Sequence, residues 1–127
     1  MRGIAALKPV RGPVAPGLSV PRFATMVKAS RMGLPVWSGA LHVSVGTLEK
    51  RMERKDAFSP LEADRLLMVE QVLERGLDVF EDADDLRLWL QRKHPLLGNR
   101  RPMDLLGSTP GIGLVMMELG RIEHGVY

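Results

Sequence analysis

The stretch SPLEADRLLMVEQVLERGLDVF, residues 59–80, has the least freedom in what it can become. Ser59 is placed to accept hydrogen bonds from the free N–H groups of a first helical turn. Pro60 stands where a missing N–H costs nothing, and Glu62 can reach back to close a capping box. Beyond that start, Leu66, Val69, Leu73, Leu77 and Phe80 recur at helical spacing along one side. A helix of this length spans roughly 30 Å, about the width of a small domain. The rest of a 127-residue chain must fold around it. Gly76, inside the helix, costs about 1 kcal/mol relative to alanine and is expected to be a weak point.

The flanking segments carry helical punctuation as well. PRFATMVKASRMG places Phe23, Met26, Val27 and Ser30 on one face, with Gly33 and Pro35 as stops. A short segment, VWSGALHV, leads to SVGTLEKRMERK, where Leu48 and Met52 are apolar four residues apart. In DADDLRLWLQRKHP the acids crowd the first turn, Arg92, Lys93 and His94 are expected in the last, and Pro95 ends the run, as the helix dipole favours. Trp89, in phase with Leu86 and Leu90, is expected to anchor a small core. LLGNRR reads as a loop and PMDLLG as one or two turns. A last helix is expected from Thr109 and Pro110, with residues 112, 115, 116, 119 and 122 on its apolar face and Gly125 as its left-handed terminator. No segment keeps a strand period. The expected fold class is all-α.

Residues 1–20, rich in Pro and Gly, read as a flexible basic arm. Prolines at 9, 13 and 16 interrupt any signal-peptide core, and no apolar run approaches the ~18 residues of a membrane span. The chain has no cysteine, which excludes thiolate chemistry and a disulfide framework and fits a cytoplasmic protein. His42, His94 and His124 show no ligand spacing, and the three acids of the DADD run, in a first helical turn, serve the helix dipole. Neither a metal nor a cofactor is expected, and no enzyme active site is legible.

Charge is divided unevenly. Residues 1–60 hold 10 Lys/Arg against 3 Asp/Glu, and residues 61–127 hold 8 against 12. A basic front and an acidic back point to two different partners. Residues 34–54 read as helix, turn, helix. On the second helix Thr47, Lys50, Arg51 and Arg54 fall at i, i+3, i+4 and i+7, while Leu48 and Met52 face inward. A short helix with a cationic outer stripe has the form of a DNA-recognition helix. Glu49 and Glu53 dilute that stripe, so a solvated helix face fits it about as well.

The segment from Trp89 to Val126 resembles the C-terminal toxin-binding domain of the Xre/MbcA/ParS antitoxins. The matching positions are Trp89-Leu90, Pro95, Leu97-Gly98, Pro102, Leu105-Leu106, Thr109, Gly113, Val115, Leu119, Arg121-Ile122-Glu123 and Gly125-Val126. Upstream, Thr47-Leu48 with Arg51, and then SPLEADRL, are similar to the family's helix-turn-helix and joining helix. The resemblance implies an arm at 1–20, a helix-turn-helix-like DNA-binding and dimerisation region at 21–58, a connecting helix at 59–81 and a toxin-binding domain at 82–127.

By the same resemblance, the chain neutralises a RES-domain toxin that consumes NAD or transfers its ADP-ribose. Arg121, Glu123, His124, Gly125, Val126 and Tyr127 would be the residues inserted in the toxin's active site. Operator DNA, and a homodimer inside a hetero-oligomeric complex, are the other implied partners. The alternative is a free-standing helix-turn-helix regulator whose C-terminal half only dimerises. For the closing GRIEHGVY the physical case is independent of family. A helix stopped at Gly125 projects a few residues in one direction, and Tyr127 brings a rigid ring suited to anchoring an interface.

Overall fold

A computed structural model describes residues 19–125. These form six α-helices: α1 (Val20–Ser30), α2 (Leu34–Leu41), α3 (Val45–Arg54), α4 (Pro60–Phe80), α5 (Ala83–Gln91) and α6 (Thr109–His124). Two 3-10 turns, Pro95–Leu97 and Pro102–Leu105, lie between α5 and α6. Among the described residues the only β-type pairing is a single bridge between His94 and Arg100. The fold is all-α, as its periodicity requires.

Side-chain oxygens open five of the six helices. The Ser59 hydroxyl accepts from the N–H of Glu62 at 3.2 Å, and the N–H of Ser59 donates to Glu62 Oε1 at 2.9 Å, so the capping box is complete. Ser19 caps α1, which begins at Val20, one residue inside the expected arm. Ser44 caps α3 through the N–H of Thr47 at 3.0 Å. Ser108 caps α6, which begins at Thr109 as expected, by accepting from Gly111 N–H at 3.0 Å.

The third residue of α6 has to be glycine. A Cβ at Gly111 would run into the carbonyl oxygen of Leu105, which is backbone and cannot swing aside. This is how the chain turns sharply out of the second 3-10 turn into α6.

The long helix α4 lies at the centre, packed against α2, α5 and α6. Its buried side is Ala63, Leu66, Val69, Val72, Leu73 and Gly76. Leu77, expected on that side, is 40% exposed. The reason is Gly76. A Cβ there would overlap the Leu86 side chain, so α5 comes closest to α4 at the glycine and the buried stripe turns away from Leu77. The expected weak point is a contact.

Helix α5 is shorter than its charge pattern implied. It stops at Gln91, with Arg92 already extended, so Arg92, Lys93 and His94 lie beyond the last turn. The chain instead folds back through Gly98 and Asn99, both left-handed, with the N–H of His94 donating to Arg100 O at 3.2 Å. His94 still serves the helix end: its Nε2–H donates to the Trp89 carbonyl at 3.0 Å.

Two aromatic groups lie in one continuous core. Phe23 meets Trp37 edge to face at 5.5 Å and Phe58 at 4.9 Å, all three almost without exposure. Toward the other end Trp89 packs between Phe80 at 5.7 Å and His94 at 5.1 Å. The regions on either side of α4 share this core, because α2 packs on the turn that contains Leu105.

Candidate functional site

Two surfaces correspond to the two halves of the charge distribution. The first is the outer face of α3. Lys50 and Arg54 are exposed there, while Thr47 is half-buried with its hydroxyl at 2.9 Å from Ser44 Oγ. Arg51 takes another direction. Its guanidinium donates to Glu62 Oε1 at 2.6 Å and its Cζ lies 5.4 Å from the centre of the Phe58 ring. The expected four-residue stripe therefore presents two cations outward. Arg51 fixes α3 to the start of α4 instead.

Burial opposes ionisation of Glu62, but hydrogen bonds from Arg51 and Ser59 and the charge of Arg51 outweigh it, and the carboxyl titrates below its ordinary 4.5. A carboxyl depressed in the folded state adds stability that is present above its unfolded pKa and lost as pH falls through the folded one. Acid unfolding is thus expected to lose a component below about pH 4.5 in Glu62→Gln relative to the parent chain. Urea melts between pH 3 and pH 7 check this, and parallel pH profiles for the two proteins would refute it.

The second surface is built around α6. Ile112, Val115 and Leu119 are buried against α4, and Met116 and Ile122 pack at the edge of the core. The opposite face is open. Leu114 is 40% and Met117 59% exposed, and Leu96, from the neighbouring 3-10 turn, is 54% exposed. Gly113 sits on that face with nothing within 4 Å of where its Cβ would be. Packing inside the chain gives no reason for glycine there, although a mid-helix glycine costs about 1 kcal/mol. It leaves backbone bare to an approaching partner.

The expected tail residues divide at the helix end. Arg121, Glu123 and His124 belong to the last turn of α6, and Gly125 terminates it at φ 67°. Arg121 and His124 are exposed, but Glu123 forms an ion pair with Arg75 of α4. Val126 and Tyr127 lie outside the described residues. Sequence reasoning missed Glu118, which is 4% exposed and lies in a cavity beside α6.

The two surfaces are joined mechanically. His42 is the left-handed residue that ends α2, inside the expected helix-turn-helix. Its Nε2–H donates at 2.6 Å to the carbonyl of Gly107, just before α6. Arg65 of α4 donates to the adjacent Leu106 carbonyl at 3.2 Å. A Cβ at Gly107 would stand 3.0 Å from the carbonyl oxygen of Gly39. The α2–α3 turn is thus seated against the N-terminal approach to α6.

Several of the remaining acids have structural partners, among them Glu70 with Arg22 and Asp104 with Arg101. Asp82 caps α5, and Asp84 pairs with Arg31 at 3.1 Å. Among the described residues no group of three His, Asp or Glu side chains is arranged to hold a metal ion, and no helix is long and apolar enough to cross a membrane.

Residues 75–125, which contain all of α5 and α6, match the antitoxin Xre/MbcA/ParS C-terminal toxin-binding domain. Over these residues the chain is similar to the Xre/MbcA/ParS antitoxins. It is similar to antitoxin Xre of Photorhabdus laumondii, with 29% identity over 66% of this chain and 57% of that protein. It is 27% identical to antitoxin Xre of Yersinia enterocolitica over 87% of this chain and 86% of that protein. A Prs ADP-ribosylating antitoxin of Sphingobium sp. is 22% identical over 91% of this chain and 79% of its own length. The crystal structure of the M. tuberculosis MbcT–MbcA toxin–antitoxin complex contains a chain of the same fold, with a TM-score of 0.68 and 16% identity. That superposition covers 85% of this chain and 96% of the other.

Proposed function

We propose that this chain neutralises a RES-class, NAD-using toxin by docking the open face of α6 on it and inserting the residues from Arg121 to Tyr127 in its active site. The observation that carries the reading is the open face itself. Leu114, Met117 and Leu96 expose apolar area around the bare backbone of Gly113, inside the segment that matches a toxin-binding domain. Scattered apolar residues on a surface need no explanation, but a contiguous patch marks an interaction site. Arg121 and His124 continue the same helix with exposed heads, the His124 Nε2 lying 3.8 Å from Glu123.

The test is co-expression in the cytoplasm of a bacterial host with a RES-class toxin encoded beside this gene. Growth and the cellular NAD pool are expected to recover with the intact chain. They are expected to stay depressed when Met117→Glu places a charge in the patch. Equal rescue by both chains would remove α6 from the interface.

The same proposal extends to DNA, with the chain acting as a homodimer within the toxin complex and repressing its own operon. The support is the exposed pair Lys50 and Arg54 on α3, in a front half that carries 10 basic residues against 3 acids. Each alanine substitution of the pair is expected to weaken duplex binding and lower the salt slope by about 1, as a phosphate contact does, or to cost about 1 to 3 kcal/mol if it reads a base edge. Arg51→Ala is expected to act differently, by loosening α3 from Glu62 and lowering the melting temperature of the free protein. Fluorescence anisotropy at several salt concentrations separates the cases, and an affinity indifferent to salt and to Lys50 and Arg54 would end the DNA reading.

A further inference from the structure

Residues 86–103 contain five of the eight Lys/Arg in the acidic back half of the chain and none of its twelve acids. The five are Arg87, Arg92, Lys93, Arg100 and Arg101. The fold gathers them further. A bridge between His94 and Arg100 turns the chain back on itself, which brings Arg92 and Lys93 alongside Arg100 and Arg101. Like charges set side by side repel, so collecting them costs the fold stability.

Two of the five are answered inside the chain. Arg101 forks onto Asp104 at 2.8 and 2.9 Å, and Arg87 lies 3.7 Å from Asp84. Arg92 and Lys93 are exposed, and among the described residues neither has an ion-pair partner. Arg100 is exposed but held, its Nε–H donating to the Leu97 carbonyl at 2.9 Å. The C-terminus of α5 favours positive charge nearby, yet His94 already donates to the Trp89 carbonyl there. Two further cations exceed what that helix end needs.

What lies between the basic pairs decides the kind of partner. Leu96 belongs to the same turn, is 54% exposed, and forms part of the open apolar face with Leu114 and Met117. A phosphate backbone has no apolar surface for such a leucine, whereas protein interfaces set an apolar centre inside a polar, solvent-accessible rim. We infer that the turn from Arg92 to Arg101 is the cationic rim of the docking face, and that it meets a cluster of Asp and Glu side chains on the toxin. Rim charges speed encounter and fix orientation more than they hold the finished complex. This rim rests on the toxin-docking reading above and adds the chemistry of the partner's surface.

The test uses the full chain and the RES-class toxin encoded beside its gene, with association and dissociation rates measured by surface plasmon resonance at several salt concentrations. Arg92→Gln with Lys93→Gln removes the two unpaired charges and leaves the Arg100 brace in place. Association at low salt is expected to slow by about tenfold or more, with a flatter salt dependence, a smaller change in dissociation and an unchanged melting temperature of the free chain. Lys28→Gln with Lys55→Gln removes as much charge from exposed sites on other elements and is expected to slow association far less. In Arg92→Glu with Lys93→Glu, replacing surface carboxylates of the toxin one at a time with lysine should find one that restores fast association.

Equal slowing by the two Gln pairs would make net charge the cause and overturn the rim. An association rate that ignores Arg92 and Lys93 also overturns it and leaves α6 docking intact. A lower melting temperature in Arg92→Gln with Lys93→Gln would make these cations structural instead. Unchanged toxin association, with weaker binding to duplex DNA from upstream of the gene, would assign the turn to nucleic acid. If the parent chain binds no toxin, the docking reading fails first and takes the rim with it.

Discussion

Trp89→Ala is expected to remove about 3 to 5 kcal/mol of stability, the cost of truncating a buried aromatic to alanine. The expected loss comes from the packing of one ring between two others. Phe80, at the end of α4, packs on one side and His94 on the other. The backbone carbonyl of Trp89 also receives the His94 Nε2–H. Without the indole, the turn that begins at His94 loses the ring it packs on, and a cavity opens in the core. Most single domains have only about 5 to 15 kcal/mol in total, so the variant is expected to lose a large fraction of its stability and to melt at a much lower temperature. Because the core is continuous from Phe23 to Leu119, the loss should appear as one cooperative transition rather than as melting of residues 82–127 alone. Circular dichroism melts measure this. A variant with the parent's melting temperature that no longer binds toxin would show that Trp89 contacts the partner instead.

What the sequence made legible was local, and what it hid was contact between distant segments. The box Ser59-Glu62, the stop at Gly125 and the apolar face of α6 depend on residues within four positions of one another, and periodicity and capping chemistry describe them well. Arg31, His42, Lys55 and Glu81 end helices in the left-handed conformation without glycine, so no residue type announced those ends. Phe58 stands outside any periodic run, yet it is buried at the meeting point of Phe23 and Arg51. The partner of Arg51 is eleven residues away on another helix, and the stripe on α3 was over-read because spacing alone cannot tell a solvated cation from one held by a carboxylate. The last turn of α5 was misjudged for a related reason. Basic residues before a proline resemble a helix terminus, but the backbone N–H of His94 donates to Arg100 across a turn.

Removing Val126 and Tyr127 is expected to leave a folded chain that still binds toxin and no longer inhibits it fully. The site of the cut matters. Loss of all residues from Arg121 onward would also delete Ile122, which packs at the core edge, and Glu123, whose ion pair ties α6 to Arg75 of α4. That larger truncation mixes a packing defect with the loss of any inserted residues. A cut after Gly125 preserves both contacts and the helix terminator. The open face with Leu114 and Met117 is also intact, so the docking area remains and affinity should fall by no more than about one to two decades, the scale of one good anchoring contact. Under the proposed insertion, inhibition depends instead on the filling of the active site, and an emptied pocket would admit NAD even while the antitoxin stays bound. Binding by calorimetry and NAD turnover by purified toxin, each titrated with both chains, are therefore expected to separate. If the shortened chain silences the toxin as completely as the parent at saturating concentration, occlusion by the last two residues is wrong. In that case the toxin is held inactive by the α6 face, through blocked motion or blocked assembly.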